Sequence, residues 1–402
     1  MLFKKKEKIT QNNDDNRVQK TLVVTKYNIL ILIDKLAHND VSLYVAKLSN
    51  YLFKNNVGVV ILTGECKIRN LINNNILVIT NNSVAKGIIF NQNNIKLIQH
   101  TCNTYSIDII NAFTINMAYL AYNVVKKNKN LHYISTILDI YSFLSDKNLF
   151  FDFNIVNNGE KIICCDDYIS NYLIDKYHTN EEIIEINRNG IDIEEFKVNN
   201  VKKWRIIDTI EIIGTNIDNK TFTYPCDFKF NYNDIMFLLG VLSKIEKQHY
   251  KIILFGNFTK ENKQDRINIV DKIYSLKLND KVILVDKFAD SQPLYLLSYA
   301  IIKLSSRDLC FDNSILDIYA SKKPVIATDN QPINRYVINT KTGFLVRKNG
   351  FYETKKAIED MLNLDTKTYQ TMCENAYNYV CKHFDINKNF SQLDEMFYNI
   401  CK

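Results

Sequence analysis

Glycine and proline are scarce in this chain, ten and four among 402 residues. That excludes collagen-like repeats, flexible Pro/Gly linkers and low-complexity disorder for the body of the sequence. No uncharged apolar run approaches the roughly 18 residues that a membrane-spanning helix needs. The N-terminus, MLFKKKEKITQNNDDNRVQK, lacks an apolar signal core. Residues 1–22 are therefore expected to be a disordered polar tail, with a basic arm touching a membrane as the alternative. The nine cysteines are scattered and odd in number, only Cys164-Cys165 are adjacent, and no C-x-x-C occurs. The six histidines show no H-E-x-x-H pattern. Neither a disulfide framework nor a zinc site is legible, so a reducing, cytoplasmic setting without a metal is expected. A net charge of +7 is spread diffusely, and no basic motif is interleaved with aromatics. Nucleic acid is thus not an expected partner, while peripheral contact with the cytoplasmic face of a membrane is left open.

What is present is alternation of short apolar runs with amphipathic segments. Tyr27 to Ile33, YNILILI, reads as a strand buried on both faces. Residues 41–54 place Val41, Tyr44, Val45, Leu48 and Leu52 on one side of a helix, with Asn39 or Asp40 as its cap. Val57 to Leu62 is the next strand, completing β-α-β. Further strands are expected at 76–79, 87–90, 96–98, 107–110, 133–137, 162–165 and 184–186, with helices at 114–127 and 166–177. The polar stretch 197–206, KVNNVKKWRI, is read as a linker. Alternation then resumes with a strand at 208–213 and continues to a last amphipathic helix over 387–400. The fold class is α/β, with two Rossmann-like β/α/β domains: 23–198, 199–384, and a C-terminal helix, 385–402, crossing back to the first.

The second half is organised around residues 305–346. Pro324-Val325-Ile326-Ala327-Thr328 reads as a buried parallel strand, Asp312-Asn313-Ser314 as the cap of a preceding helix, and Thr342-Gly343 as a turn before Phe344-Leu345-Val346. Ligands of open α/β sheets sit beyond the carboxyl ends of the strands, so the loops of this stretch are expected to border a crevice.

Four motifs, in order, resemble those of the family-4 glycosyltransferases, over about residues 27–400. Asn189-Gly190-Ile191-Asp192 with Phe196 resembles N-G-I-D-x-x-x-F. Lys251 to Gly256 resembles the strand that ends in glycine, and Asn279-Asp280-Lys281-Val282 the D-x-V before the base-binding strand. Lys323 to Thr328 with Thr342 to Val346 resembles K-P-V-I-A-T and T-G-x-L-V. The resemblance implies the GT-B fold, in which the two domains face across a cleft. It also implies retaining transfer of a sugar from a nucleotide-sugar to a cell-envelope glycan or lipid acceptor. The nucleotide-sugar is then a substrate, and neither a cofactor nor a metal is implied.

Carried over position by position, the resemblance assigns donor binding to Asp317, Gly256, Asn257, Ser306, Arg307 and Lys229. Several family positions hold other chemistry. Leu138 stands where the first-domain histidine falls, and Leu309 where the first glutamate falls, counted from Phe311; Asp308 is the alternative acid one residue earlier. Asp227 and Tyr232 occupy the positions of the phosphate-clamping Arg and Lys. Gln331-Pro332 and Asn39-Asp40, beside His38, replace glycine pairs. Like charges 4 Å apart at an effective dielectric of 20 repel by about 4 kcal/mol, so Asp227 would oppose a diphosphate. The catalytic group is therefore left unassigned. The alternative reading is a catalytically degenerate relative that serves as a binding or scaffold protein.

Overall fold

The computed structural model describes residues 6–10, 19–23, 25–85, 92–139, 154–196, 200–213, 220–226, 231–245, 249–256, 258, 262–286, 291–305, 314–330 and 333–402. Two compact units are formed: residues 1–189 with 386–402, and residues 190–385. The stretch 197–206, expected as a linker, lies inside the second unit by this division.

The first unit opens with a hairpin, β1 (Lys6–Thr10) paired antiparallel with β2 (Gln19–Val23). The tail expected to be unstructured thus carries two strands; Ile9-Thr10 and Thr21-Leu22-Val23 supply the β-formers that a composition-level reading passed over. A parallel seven-stranded sheet follows. Its strands are β3 (Asn28–Ile33), β4 (Gly58–Thr63), β5 (Leu77–Thr80), β6 (Ile109–Ala112), β7 (His132–Ile137), β8 (Lys161–Cys164) and β9 (Ile184–Ile186), in the order β5-β4-β3-β6-β7-β8-β9. β3 and β4 are buried at every residue, as their apolar runs Ile29–Ile33 and Val59–Leu62 require of central strands covered on both faces.

Helices α1 (Asp40–Lys54), α2 (Gln92–Tyr105), α3 (Ile115–Val125) and α4 (Asp167–Tyr177) make the crossovers. Asn39 caps α1, its Oδ1 accepting from Ser42 N at 2.9 Å, and Asp166 caps α4 by accepting from Ile169 N at 2.9 Å. Lys96–Ile98, expected as a strand, lies inside α2. The buried residues Asn94, Ile98, Thr101 and Cys102 repeat at helical spacing, a period that a three-residue apolar run is too short to reveal. The expected strand at 87–90 lies outside the described residues.

The second unit is built on a parallel six-stranded sheet. Its elements are α5 (Lys203–Ile213), β10 (Lys220–Pro225), α6 (Tyr232–Leu242), β11 (Tyr250–Gly256), α7 (Lys263–Ser275), β12 (Val282–Asp286), α8 (Ser291–Leu297), β13 (Ala300–Lys303), α9 (Ser314–Ala320), β14 (Val325–Thr328), β15 (Gly343–Val346), α10 (Phe351–Asn363) and α11 (Thr366–His383). The strand order is β12-β11-β10-β13-β14-β15. Alternate residues of β11 serve the two faces, as strand geometry dictates. Ile252 and Leu254 join a core with α6, α7 and α10, whereas Ile253 and Phe255 join one with α8, α9 and α11. The strand expected at 208–213 is instead helix α5. Its isoleucines favour strands by type, but Thr209 and Ile213 are buried while Asp208, Glu211 and Ile212 are exposed, which is helical patterning.

The last helix, α12 (Ile386–Ile400), belongs to the first unit and packs on α1. Phe390 meets the rings of Tyr44 at 5.3 Å and Tyr51 at 5.6 Å, and Phe397 that of Tyr27 at 6.2 Å. The buried Asp394 accepts from Tyr27 Oη–H at 2.9 Å and pairs with Lys26 Nζ at 3.0 Å.

The β14–β15 pairing leaves no room beside Gly343, where an added Cβ would overlap the Val325 carbonyl. Gly343→Ala is expected to destabilise the second unit by about 1–3 kcal/mol, because backbone rather than a flexible side chain must yield. Gly240→Ala in α6 would meet only Phe351 Cε2, at 3.9 Å, and should be neutral or stabilising by up to about 1 kcal/mol. Urea unfolding of both variants checks the contrast, and equal effects would contradict it.

Candidate functional site

A parallel sheet offers its ligand crevice at the carboxyl ends of the strands, where the strand order reverses. In the second unit the reversal falls between β10 and β13. The polar groups of this edge gather on the residues that follow β13. Ser305 N–H donates to Thr328 Oγ1 at 3.0 Å, and Ser305 C=O accepts from Asn330 Nδ2 at 3.3 Å. Tyr224, at the end of β10, donates its hydroxyl to Leu304 C=O at 2.9 Å. Burial, reinforced by the negative charge of Asp234, pushes the Tyr224 phenol well above its ordinary range, so it remains a donor. Ser305, Thr328 and Asn330 are all buried. The backbone at Ser305 is therefore tied to its surroundings through both its N–H and its C=O.

α9 begins at Ser314, with Asp317 in its first turn. Ile315, Leu316 and Tyr319 are fully buried and seat α9 on the sheet, which holds the half-buried Asp317 at the carboxyl edge. β11 ends in Gly256, level with Asp286 of β12. Phe258 follows, and α7 begins five residues later, its first turn at the same edge. Arg266, in that turn, lies over the Phe258 ring at 5.8 Å. A helical side chain reaches back toward the N-terminus, so the guanidinium is directed to the edge. No carboxylate pairs with it among the described residues. Asn268, half a turn on, donates to Tyr232 Oη at 3.4 Å, which joins the starts of α6 and α7.

Of the residues assigned from sequence, Gly256 and Asp317 both lie on this edge, on either side of β10 and β13. Lys229, Asn257, Ser306 and Arg307 lie outside the described residues, as do Asp308, Leu309, Asp227, Phe311, Gln331 and Pro332. Tyr232 offers no cation where the family's lysine falls; its ring packs against the core. Arg266 was not singled out from sequence. The signal that marks it is a cation in the first turn of the helix after the glycine-ended strand.

In the first unit the strand order reverses between β3 and β6. There Thr114 Oγ1 donates to Asp34 Oδ1 at 2.9 Å. Ser42 of α1 accepts from Ala37 N at 3.0 Å, so the loop after β3 is tied to the helix it feeds. Leu138, just after β7, is buried, and its carbonyl accepts from Cys165 Sγ–H at 3.1 Å. Its side chain can carry no proton. Among the described residues no group of His, Cys, Asp or Glu could hold a metal ion, and no helix is long and apolar enough to cross a membrane.

Thr328→Val would leave the buried Ser305 N–H without an acceptor, at a cost of about 1–3 kcal/mol. Thr328→Ser, which restores the hydroxyl, should recover most of that loss in urea unfolding. Equal destabilisation by both would show that methyl packing, not the hydrogen bond, governs the position.

Residues 219–364 match the family model of the glycosyl transferases group 1. No curated protein sequence matches the chain. Solved structures match nearly its whole length. A glycosyltransferase from Rickettsia africae superposes with a TM-score of 0.83 at 22% identity, covering 94% of this chain and 99% of that one. Anabaena Alr3699/HepE, solved in complex with UDP and glucose, gives 0.74 at 17%, covering 93% and 100%. WaaG, a glycosyltransferase involved in lipopolysaccharide biosynthesis, gives 0.65 at 10%, covering 92% and 99%. The chain as a whole thus has the GT-B fold of glycosyltransferases, and residues 219–364 of its second unit are similar to the glycosyl transferases group 1.

Proposed function

We propose that the protein transfers a sugar from a nucleotide-sugar donor, bound at the carboxyl edge of the second unit, to a cell-envelope glycan or lipid acceptor, with retention of configuration. One observation carries this reading. The family match over 219–364 spans the whole edge on which Gly256, Asp317 and the anchored Ser305 lie. The HepE complex with UDP and glucose supports a uridine nucleotide as the first donor to try, and WaaG supports an envelope acceptor.

In this reading Gly256 lets the donor diphosphate approach the backbone, since no side chain stands in the way. Asp317 accepts hydrogen bonds from the ribose hydroxyls. Arg266 and the amides at the start of α7 balance the diphosphate charge. They take over the role that Asp227 and Tyr232 cannot fill. Because Leu138 can neither give nor take a proton, this scheme relies on stabilising charge on the departing diphosphate. A cytoplasmic enzyme working at a membrane face fits such an acceptor.

Isothermal titration with UDP, GDP and UDP-glucose tests the donor site. Removing one charged hydrogen bond costs about 1.5–3 kcal/mol, so Asp317→Ala and Arg266→Ala should each weaken UDP binding roughly tenfold or more. Absence of heat at millimolar nucleotide would sink the proposal. Nucleotide binding without any release of sugar to envelope extracts would instead favour the degenerate binding protein.

A further inference from the structure

Helix α5 carries three large apolar side chains in the open. Trp204, the only tryptophan of the chain, is 62% exposed, Ile207 56% and Ile212 51%. At 100° per residue these three, with Asp208 and Glu211, occupy an arc of about 140°. The opposite side is the packed one, through Thr209 and Ile213, against α8.

The charges on this helix run in an unusual order. Lys202, Lys203 and Arg205 stand at its start, and Asp208 and Glu211 toward its end. That order opposes the helix dipole, which favours acids at the N-terminus and bases at the C-terminus. Lys202, Lys203, Asp208 and Glu211 are all exposed, and none pairs with an opposite charge among the described residues. The arrangement costs an isolated helix stability but is complementary to its own reverse.

We infer that the exposed face of α5 docks against the same face of a second copy of this chain, the two helices antiparallel about a two-fold axis near Ile207. Lys203 and Arg205 of one copy then meet Glu211 and Asp208 of the other. Trp204 covers Ile212 of the second copy, and the two helix dipoles oppose one another favourably. Self-complementarity of this kind is what an isologous contact requires. A lipid surface fits less well, because Asp208 and Glu211 lie within the apolar arc and would be carried toward the headgroups and acyl chains. Eleven residues make a helix about 16 Å long, so the contact is small and a dimer of micromolar strength is expected.

Sedimentation velocity from about 1 to 100 µM tests this on the full chain, with Trp204 emission as the local readout. Wild-type protein should pass from monomer to dimer across that range, and its emission should shift to the red on dilution. Lys203→Glu with Arg205→Glu should weaken dimerisation at least tenfold. Adding Asp208→Lys and Glu211→Lys to that variant should restore it, since the reversed charges are again self-complementary. This rescue separates the proposal from misfolding, and UDP titration of each variant keeps it separate from the donor site. A monomer with concentration-independent emission would overturn the inference. So would failure of the four-site variant to dimerise, or a blue shift of monomeric protein on anionic phosphatidylglycerol vesicles, which would assign the face to a membrane.

Discussion

A parallel strand covered on both faces can hold almost nothing polar along its length, because a buried polar group without a partner costs more than most side-chain contacts return. Ile29–Ile33 of β3, Val59–Leu62 of β4 and Ile252–Phe255 of β11 obey this, and the polar residues Asn28, Thr63 and Lys251 stand at or next to the strand ends. Polar chemistry is therefore exported to the carboxyl ends of the strands. There it must do two things, satisfying the backbone where the ladder stops and facing whatever binds. The Ser305–Thr328–Asn330 group does the first at the reversal of the second sheet. At the reversal of the first sheet the Asp34 and Thr114 side chains instead satisfy one another.

The C-terminal helix obeys the same rule at the edge of the first unit. α12 is amphipathic, and its apolar side is taken up by Tyr27, Tyr44 and Tyr51. Asn389 donates to the Arg188 carbonyl at 2.6 Å, and its own carbonyl accepts from Asn187 Nδ2 at 2.8 Å. The backbone just before the chain leaves the unit is thus satisfied by the segment that returns to it. Within the second unit, Ile191 N–H donates to Phe384 C=O at 2.9 Å, so the outgoing and returning segments are also joined there. Polar pairing marks the crossing on each side, where no sheet ladder is available.

The divergence of the site follows from the same division of labour. The apolar framework tolerates little change, since strand residues pack against both layers. Edge residues are free to differ so long as their backbone partners survive. Leu138 is buried and the Tyr232 ring packs against the core, so both side chains serve packing. Arg266 is a cation held over an aromatic ring on the neighbouring crossover, where a charge-balancing group can act without belonging to the usual motif. The exposed face of α5 is the reverse case, with large apolar groups left outside any core of their own unit.

Much of the framework was legible in the linear chain because burial on both faces leaves unbroken apolar runs, such as YNILILI and KIILF, and because caps such as Asn39 and Asp166 act within three residues. Gly256 and Asp317 could be placed at a sheet edge for the same reason, each adjoining a readable element. Helix α5 and the middle of α2 were misread where a few β-branched or apolar residues imitate a strand, because the helical period shows only once the buried side is known. The strand order, the anchoring of Ser305 by residues more than twenty positions away, and the nearness of Arg266 to Phe258 and of Asn268 to Tyr232 required the tertiary structure. They depend on which crossover lies beside which, and local propensity carries no information about that. The sequence alone thus determined most of the buried strands and the well-capped helices. Only the fold decided which polar groups meet, since neighbours across a parallel sheet are set by packing rather than by distance along the chain.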